Sequence, residues 1–367
     1  MKVSVHRLAM SNPADTSGLR ALIDSGELDP RTIVATIGKT EGNGGANDFT
    51  RALATISVAG AIGRATGETP EAVAERVALV WSGGCEGVLS PHVTVIARDD
   101  AVPAGDHGGG LAVSVQRTRD FRPEEIGTLS EVDEVAEATR RALDDLSITE
   151  PGDVHYVQVK GPLLTPAGIK DATTRGARLV TTDPNGSKAY ARGATALGVA
   201  IGLREVERGA VTQEAIAHDF GLFSRVASTS AGGELTACEI VLFANSPAAV
   251  DGLRIGHAVL RDVVDADGVV AALASAGLEV ACRPDDRERG RIAAVFAKAE
   301  ASPNGEVRGR RTTMLSDADI NYERHARAAL GAVIASVTGD PAIFVSGGTE
   351  HQCPPGEAPI AAIVRTG

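Results

Sequence analysis

A lysine, an arginine and a serine recur in that order three times along the chain: Lys39, Arg51, Ser82; Lys160, Arg192, Ser230; Lys298, Arg327, Ser346. A serine hydroxyl becomes a nucleophile when a neutral lysine amine takes its proton. Free lysine titrates near ~10.4 and a useful base near ~7–8, so burial and positive neighbours must lower it by about 3 pH units. Three converging arginines would repel a further cation and donate hydrogen bonds to carbonyl oxygens of a polar, acidic ligand. The serines open matching segments: Ser82-Gly83-Gly84-Cys85-Glu86, Ser230-Ala231-Gly232-Gly233-Glu234 and Ser346-Gly347-Gly348-Thr349-Glu350. The small residues after each serine let backbone N–H groups approach a ligand and form an oxyanion hole. One such serine reads as a turn residue, and one such lysine as a surface charge. Three sets in one order, with serines 148 and 116 residues apart, argue for a shared site. The trailing glutamates Glu86, Glu234 and Glu350 read as partners for the lysines or arginines.

The lysines are not equivalent. Lys39 is followed by Glu41 and Lys298 by Glu300. On a persisting strand, i and i+2 share a face, so each glutamate should hold its lysine protonated. Lys160 precedes Gly161-Pro162-Leu163-Leu164, with no acid until Asp171. Lys160 is therefore the expected neutral base, with the lowest pKa of the three, and Ser230 the nucleophile. Lys39 and Lys298 take supporting roles. In the third set Arg324 competes with Arg327, but the Ala-Ala-Leu-Gly run after Arg327 fits better.

The elements positioning these residues also repeat. Val3-Ser4-Val5-His6-Arg7 returns as Val113-Ser114-Val115-Gln116-Arg117, and more weakly between Leu253 and Arg261. Both clear copies alternate as a half-buried strand should. Each lysine ends an apolar run (Ile33–Ile37, Val154–Val159, Ile292–Ala297), and each arginine opens an Ala/Leu-rich helical run. The first and third serines follow strand-like runs, and a β-rich stretch follows all three segments. A unit therefore reads strand, helix, strand with Lys, helix with Arg, strand with Ser, final strand. Turn-forming stretches near Gly108-Gly109-Gly110 and from Ser246 to Gly252 set the units at 1–105, 111–248 and 253–367. Extra residues in the second unit, around Glu205 to Phe223, alternate in a helix-like way. A four-stranded unit of this size has one sheet face left to bury. The expected fold is α/β: three concatenated repeat units burying those faces against one another with pseudo-threefold symmetry.

Composition narrows the function classes. Of 367 residues, 36 are basic and 48 acidic, a net charge of −12, which disfavours nucleic acid or an anionic membrane as partner. Aromatics are 3%, so the core should be aliphatic and stacking platforms for bases are not expected. Met1–Met10 holds no apolar signal-like stretch, and no run of about 18 apolar residues occurs, so a cytoplasmic protein is expected. Cys85, Cys238, Cys282 and Cys353 are isolated and read as reduced, packed thiols.

With these residues in view, the chain resembles the cyanuric acid amidohydrolase and barbiturase family nearly end to end. The match is carried by Gly38-Lys39-Thr40-Glu41-Gly42-Asn43-Gly44, Ser82 to Ser90, Val157-Gln158-Val159-Lys160 and Phe296 to Pro303. Met314-Leu315-Ser316-Asp317, Arg324-His325-Ala326-Arg327 and Ser346-Gly347-Gly348 complete it. The resemblance implies three α/β repeats around a central β-barrel-like core, the substrate on the threefold axis, and a homotetramer. It implies ring-opening hydrolysis of a cyclic imide, with Lys160 as base and Ser230 as nucleophile. Arg51, Arg192 and Arg327, with Ser82-Gly83, Ser230-Ala231 and Ser346-Gly347, would bind the substrate. Cyanuric acid, with three equivalent carbonyls, would open to carboxybiuret, which loses carbon dioxide to give biuret. The resemblance further implies a structural Mg²⁺ or Ca²⁺ at Glu300 and the loop Thr349 to Glu357, including Gln352, Cys353 and Pro354, largely through backbone carbonyls. The Cys353 thiol need not be a ligand. No organic cofactor is expected.

Two rivals remain at this stage. Barbituric acid replaces one ring N–H by CH₂ and keeps three carbonyls, and the motifs do not separate the two substrates. A threefold small-molecule binding protein without chemistry would be favoured by loss of the lysine or serine in the second unit, and both are present. A Ser-Ser-Lys amidase would carry a long Gly/Ser-rich signature that the sequence lacks.

Overall fold

The alternating run after Met1 forms the first strand, and the expected order of elements follows it three times. The computed structural model describes residues 1–103, 109–250, 252–280 and 283–366; Gly108, at the first expected boundary, and Cys282 lie outside them. The first third holds β1 (Lys2–Ala9), α1 (Ser17–Asp24), β2 (Ile33–Thr40), α2 (Phe49–Thr66), α3 (Pro70–Arg76), β3 (Ala78–Gly83) and β4 (His92–Asp99). The second holds β5 (Gly110–Arg117), α4 (Leu129–Asp145), β6 (Val154–Pro162), α5 (Pro166–Thr174), α6 (Ser187–Gly202), β7 (Ala227–Gly232) and β8 (Glu239–Ser246). In the last third, β9 (Leu253–Leu260), α7 (Ala266–Ser275), α8 (Asp286–Arg289) and β10 (Ile292–Ala299) come first. A small hairpin of β11 (Glu306–Val307) and β12 (Arg310–Arg311) precedes α9 (Tyr322–Thr338), β13 (Phe344–Gly347) and β14 (Ala358–Arg365).

Each third builds one four-stranded sheet in the order first, fourth, second, third: β1-β4-β2-β3, β5-β8-β6-β7 and β9-β14-β10-β13. The second and third strands run parallel in each. A parallel pair needs a crossover, usually helical, and the crossover helices α2, α6 and α9 carry the repeated arginines. Even an irregularity recurs, between Ile33 and Ala35, Val154 and Tyr156, and Ile292 and Ala294.

One face of every sheet joins a shared core that includes Val5 and Ile37, Val113 and Phe243, and Phe296 and Ile363. Aliphatics dominate it as expected, but scarce aromatics concentrate here: Tyr156, Phe243, Phe296 and Phe344 pack in stacked, tilted and edge-to-face pairs with ring centroids 5.3–6.2 Å apart. Each buried side chain of this size contributes about 1.5–3 kcal/mol. The barrel-like core implied by the resemblance takes another form. The three sheets are hydrogen-bonded separately, and none closes into a barrel among the described residues.

The stretch 205–223 is not the helix its alternation suggests. Arg204 and Ala217 adopt positive φ (60° and 64°), and only the 3-10 turns Arg208–Ala210 and Gln213–Ala215 form between them. The segment instead packs on the loop after β13. Ala217 N–H donates to His351 Nε2 (2.9 Å), so His351 Nδ1 carries the proton shared with the Leu222 carbonyl. Cys85, Cys238 and Cys353 are free thiols, the last two buried. No described helix is long and apolar enough to cross a membrane.

Candidate active site

Strand register sets each lysine beside its serine. Lys39 pairs with Ser82 across β2 and β3, Lys160 with Ser230 across β6 and β7, and Lys298 with Ser346 across β10 and β13. Partners in register direct their side chains to one face of the sheet.

All three lysines are buried, at 0%, 2% and 0% exposure, yet each reaches a backbone carbonyl in a different sheet. Lys39 Nζ donates to the Val345 carbonyl (2.7 Å), Lys160 Nζ to Trp81 (3.2 Å) and Lys298 Nζ to Thr229 (2.6 Å). Every acceptor is the residue immediately before one of the serines. Lys39 also donates to Ser82 Oγ at 3.2 Å, and Lys298 to the Gly347 carbonyl at 3.0 Å.

The expected electrostatic difference among the lysines is reversed. β2 ends at Thr40 and β10 at Ala299, so Glu41 and Glu300 leave the strand before they can pair with Lys39 or Lys298. Lys160 instead carries the ion pair, with Glu234 Oε1 at 3.4 Å. Burial, reinforced by Arg327, brings Lys39 down to about 8. Burial also brings Lys160 to about 8, with Arg51 lowering it further and Glu234 opposing. Lys298 is lowered too, by burial and then by Arg192, and no carboxylate among the described residues stands in ion-pair contact with it.

The arginines lie in the first two turns of their helices and pair with the repeated glutamates. Arg51 Nε donates to Glu234 (3.1 Å), Arg192 Nε to Glu350 (2.7 Å) and Arg327 Nε to Glu86 (2.9 Å). Each pair joins two different thirds of the chain, so the trailing glutamates fix the arginines. Of the competing pair, Arg327 faces the site, while Arg324 donates outward to the Asn43 carbonyl. Small residues are required here. At Gly348 (φ 82°) a Cβ would stand 2.2 Å from Arg192 Cζ, and at Gly83 it would stand 1.7 Å from Asp48 Oδ2.

These residues converge on one small cavity. Its wall contains Arg51, Arg192 and Arg327, the pairs Ser82-Gly83, Ser230-Ala231 and Ser346-Gly347, and Lys160. Lys39 and Lys298 lie behind the wall, occupied by carbonyls. Ser230 Oγ and Ser346 Oγ are buried without a hydrogen-bond partner, an unusual state that a ligand would relieve. Lys188 and Glu323 also line the cavity and were not singled out in the sequence. Their signal was helical spacing, since each stands four residues before a cavity arginine. Asp48 was missed too; its carboxylate caps α2 and lies 3.5 Å from Arg51.

A family model described as amidohydrolase ring-opening protein matches residues 4–365. The chain belongs to this ring-opening amidohydrolase family. A relative from Azorhizobium caulinodans named cyclic amide hydrolase is 64% identical over 100% of both chains. A cyanuric acid amidohydrolase from Bradyrhizobium diazoefficiens is 48% identical over 99% of this chain and 98% of its own. The solved structure of a cyanuric acid hydrolase superposes with a TM-score of 0.94 at 48% identity, covering 100% of this chain and 99% of the other. The chain is a hydrolytic enzyme of the ring-opening amidohydrolase family.

The cation implied for this family has residues that fit it in part. The Glu300 carboxylate is half-buried, accepts from the N–H groups of Ala301 (2.9 Å) and Thr349 (3.2 Å), and lines a pocket with Thr349, Glu350 and Cys353. Burial, then the charge of Glu350, pushes Glu300 up to about 7. A hard cation would relieve that strain. Gln352 spends its amide on Thr229 N–H and the carbonyls of Gly348 and Glu350, and the Cys353 thiol turns to the Arg225 carbonyl. Both are left with main-chain oxygen to offer. Pro354 and Glu357 stand outside that pocket's wall, joined by a turn hydrogen bond of 2.9 Å. Among the described residues, no group of three or more His, Cys, Asp or Glu side chains gathers as a metal cluster.

Proposed function

We propose that the enzyme opens the ring of cyanuric acid to carboxybiuret, which then loses carbon dioxide to give biuret. The observation carrying this reading is that three arginines and three serine pairs line one cavity. A ring with three equivalent carbonyls presents the same acceptor to each arginine. The matching sheets and the cyclic contacts among them support a pseudo-threefold arrangement of units 1–105, 111–248 and 253–367 about this cavity.

Ser230 is the nucleophile and Lys160 the base. Lys160 is the one repeated lysine in the cavity wall, and at about 8 its amine is neutral in roughly a tenth of molecules at pH 7. Lys160 takes the Ser230 proton as Oγ bonds to a ring carbonyl carbon, and the carbonyl electrons move onto oxygen. Backbone N–H groups after the serines receive that oxyanion in this reading. The carbon–nitrogen bond then breaks, and the departing nitrogen takes the proton from Lys160. Water, deprotonated by the same amine, releases carboxybiuret from Ser230. A bound Mg²⁺ or Ca²⁺ would serve structurally, neutralising Glu300 and Glu350 against the loop from Thr349 to Glu357.

The protein is assigned to the cytoplasm and to a homotetramer. α2 exposes Phe49 (75%), Leu53 (39%) and Ile56 (66%) along one side, an apolar stripe suited to a subunit contact. Loss of ultraviolet absorbance from cyanuric acid, measured beside barbituric acid, tests the substrate. Turnover of barbituric acid alone would transfer the assignment to a barbiturase. Turnover of neither ring would point to another cyclic amide as the substrate.

A further inference from the structure

The threefold pattern of cavity side chains fails at one position. Four residues before each cavity arginine stand Asn47, Lys188 and Glu323; the last two lie one helical turn away, whereas Asn47 precedes the Asp48 cap of α2. Asn47 accepts from Asn43 (3.0 Å) and does not line the cavity. Lys188 and Glu323 do, and they also line the polar vestibule outside it, which Asn43, Asn185 and Asn321 surround. With Gly44 and Arg327, which also line both, the two residues mark the neck between vestibule and cavity.

Their charges are unevenly satisfied. Glu323 lies 3.2 Å from Arg192, 3.9 Å from Arg327 and 3.8 Å from Lys188, so Lys188 shares its one carboxylate with two arginines. The arginines each have a second acid, Glu350 for Arg192, Glu86 for Arg327, and Asp48 beside Glu234 for Arg51. At 3.8 Å the Lys188 contact is too long for a hydrogen bond. Lys188 is thus the cavity cation with three N–H donors unspent.

An imide N–H between two carbonyls is acidic, because the charge of its anion spreads over both oxygens. A ring of this kind approaches partly as an anion, and a cation with free donors at the neck is placed to meet it. We propose that Lys188 is a substrate-contacting residue that binds the anionic edge of the ring at the cavity neck, with Glu323 holding it in place. This rests on the reading of the cavity as the substrate site.

The test is steady-state kinetics for wild type, Lys188→Met, Lys188→Gln and Lys188→Arg, together with calorimetric titration of cyanuric acid into the same set carrying Ser230→Ala, which removes turnover. Either neutral variant should bind about tenfold more weakly and raise KM by a similar factor, with kcat changed about threefold or less. Lys188→Arg should recover most of the affinity. Thermal melts identify a variant that fails to fold, in which case the other neutral variant gives the reading. Wild-type affinity in a folded neutral variant overturns the proposal, as does an equal loss in Lys188→Arg. Binding in the titration without turnover in wild type would instead sink the proposed function, since the titration reads Lys188 without chemistry.

Discussion

Lys298 of the third sheet donates to the carbonyl of Thr229, so it holds in place the residue immediately before Ser230. Replacing Lys298 with Met leaves the Thr229 and Gly347 carbonyls buried without that donor. Each loss costs about 1–3 kcal/mol. The variant should melt several degrees lower and turn over more slowly. An unchanged melting temperature would show that the bridge does not support the strand.

Lys160→Met should behave differently, lowering kcat by about 10²–10⁴-fold with a smaller change in stability. In wild type the neutral amine is the active form. Because Lys160 titrates at about 8, activity should rise with pH through that value and then level. Profiles of kcat against pH for the two proteins decide it. An unchanged acidic limb in Lys160→Met would remove Lys160 as the base.

Among the serines, Ser230→Ala should abolish turnover while cyanuric acid still binds. Ser82→Ala and Ser346→Ala should weaken binding and slow turnover by misplacing the ring. Ser82 Oγ already accepts from Lys39, whereas Ser230 and Ser346 have no partner, so Ser82→Ala should also disturb Lys39. Near-normal turnover in Ser230→Ala would place the nucleophile in another unit.

Glu131 gives a stability prediction. It is fully buried, burial raises it to about 8, and it accepts from Gly127 N–H and the Cys238 thiol. A carboxyl group with a raised folded pKa stabilises fully below its unfolded value of 4.5, and that contribution is lost as pH rises through about 8. Melting temperature should therefore decline across this window, and Glu131→Gln should flatten the decline. Parallel wild-type and variant curves would contradict the assignment.

The proposed cation is tested by dialysis against a chelator. The melting temperature should fall, and Mg²⁺ or Ca²⁺ should restore it. Elemental analysis should find about one ion per chain. A chelator-insensitive melt with no bound metal would exclude the site.

The sequence reading recovered what was written three times and lost what was written once. Lysine, arginine and serine recur with matching neighbours, so their convergence was legible before any fold was known. The trailing glutamates were legible as partners for lysines or arginines, but not that Glu234 alone of them pairs with its lysine, because an ion pair across 74 residues leaves no local spacing. The carbonyl partners of the lysines were invisible because a backbone oxygen carries no residue type. Lys188 and Glu323 escaped notice because they have no counterpart in the first unit. The helix expected over 205–223 failed because two positive-φ residues cannot be seen in an alternating pattern.

The lysine bridges close a ring in space that the chain traverses as a line. Lys160 and Lys298 reach back 79 and 69 residues, but Lys39 must wait for Val345, 306 residues later, and Arg327 finds Glu86 across 241. The longest closure costs about 1 kcal/mol more chain entropy than the shorter ones, which is small. Its effect on timing is large. On the ribosome, two thirds of the polypeptide can emerge and fold while the nascent enzyme still lacks one wall of its cavity. Because β13 supplies Ser346 and Gly347 to that wall, a chain truncated before it should be inactive.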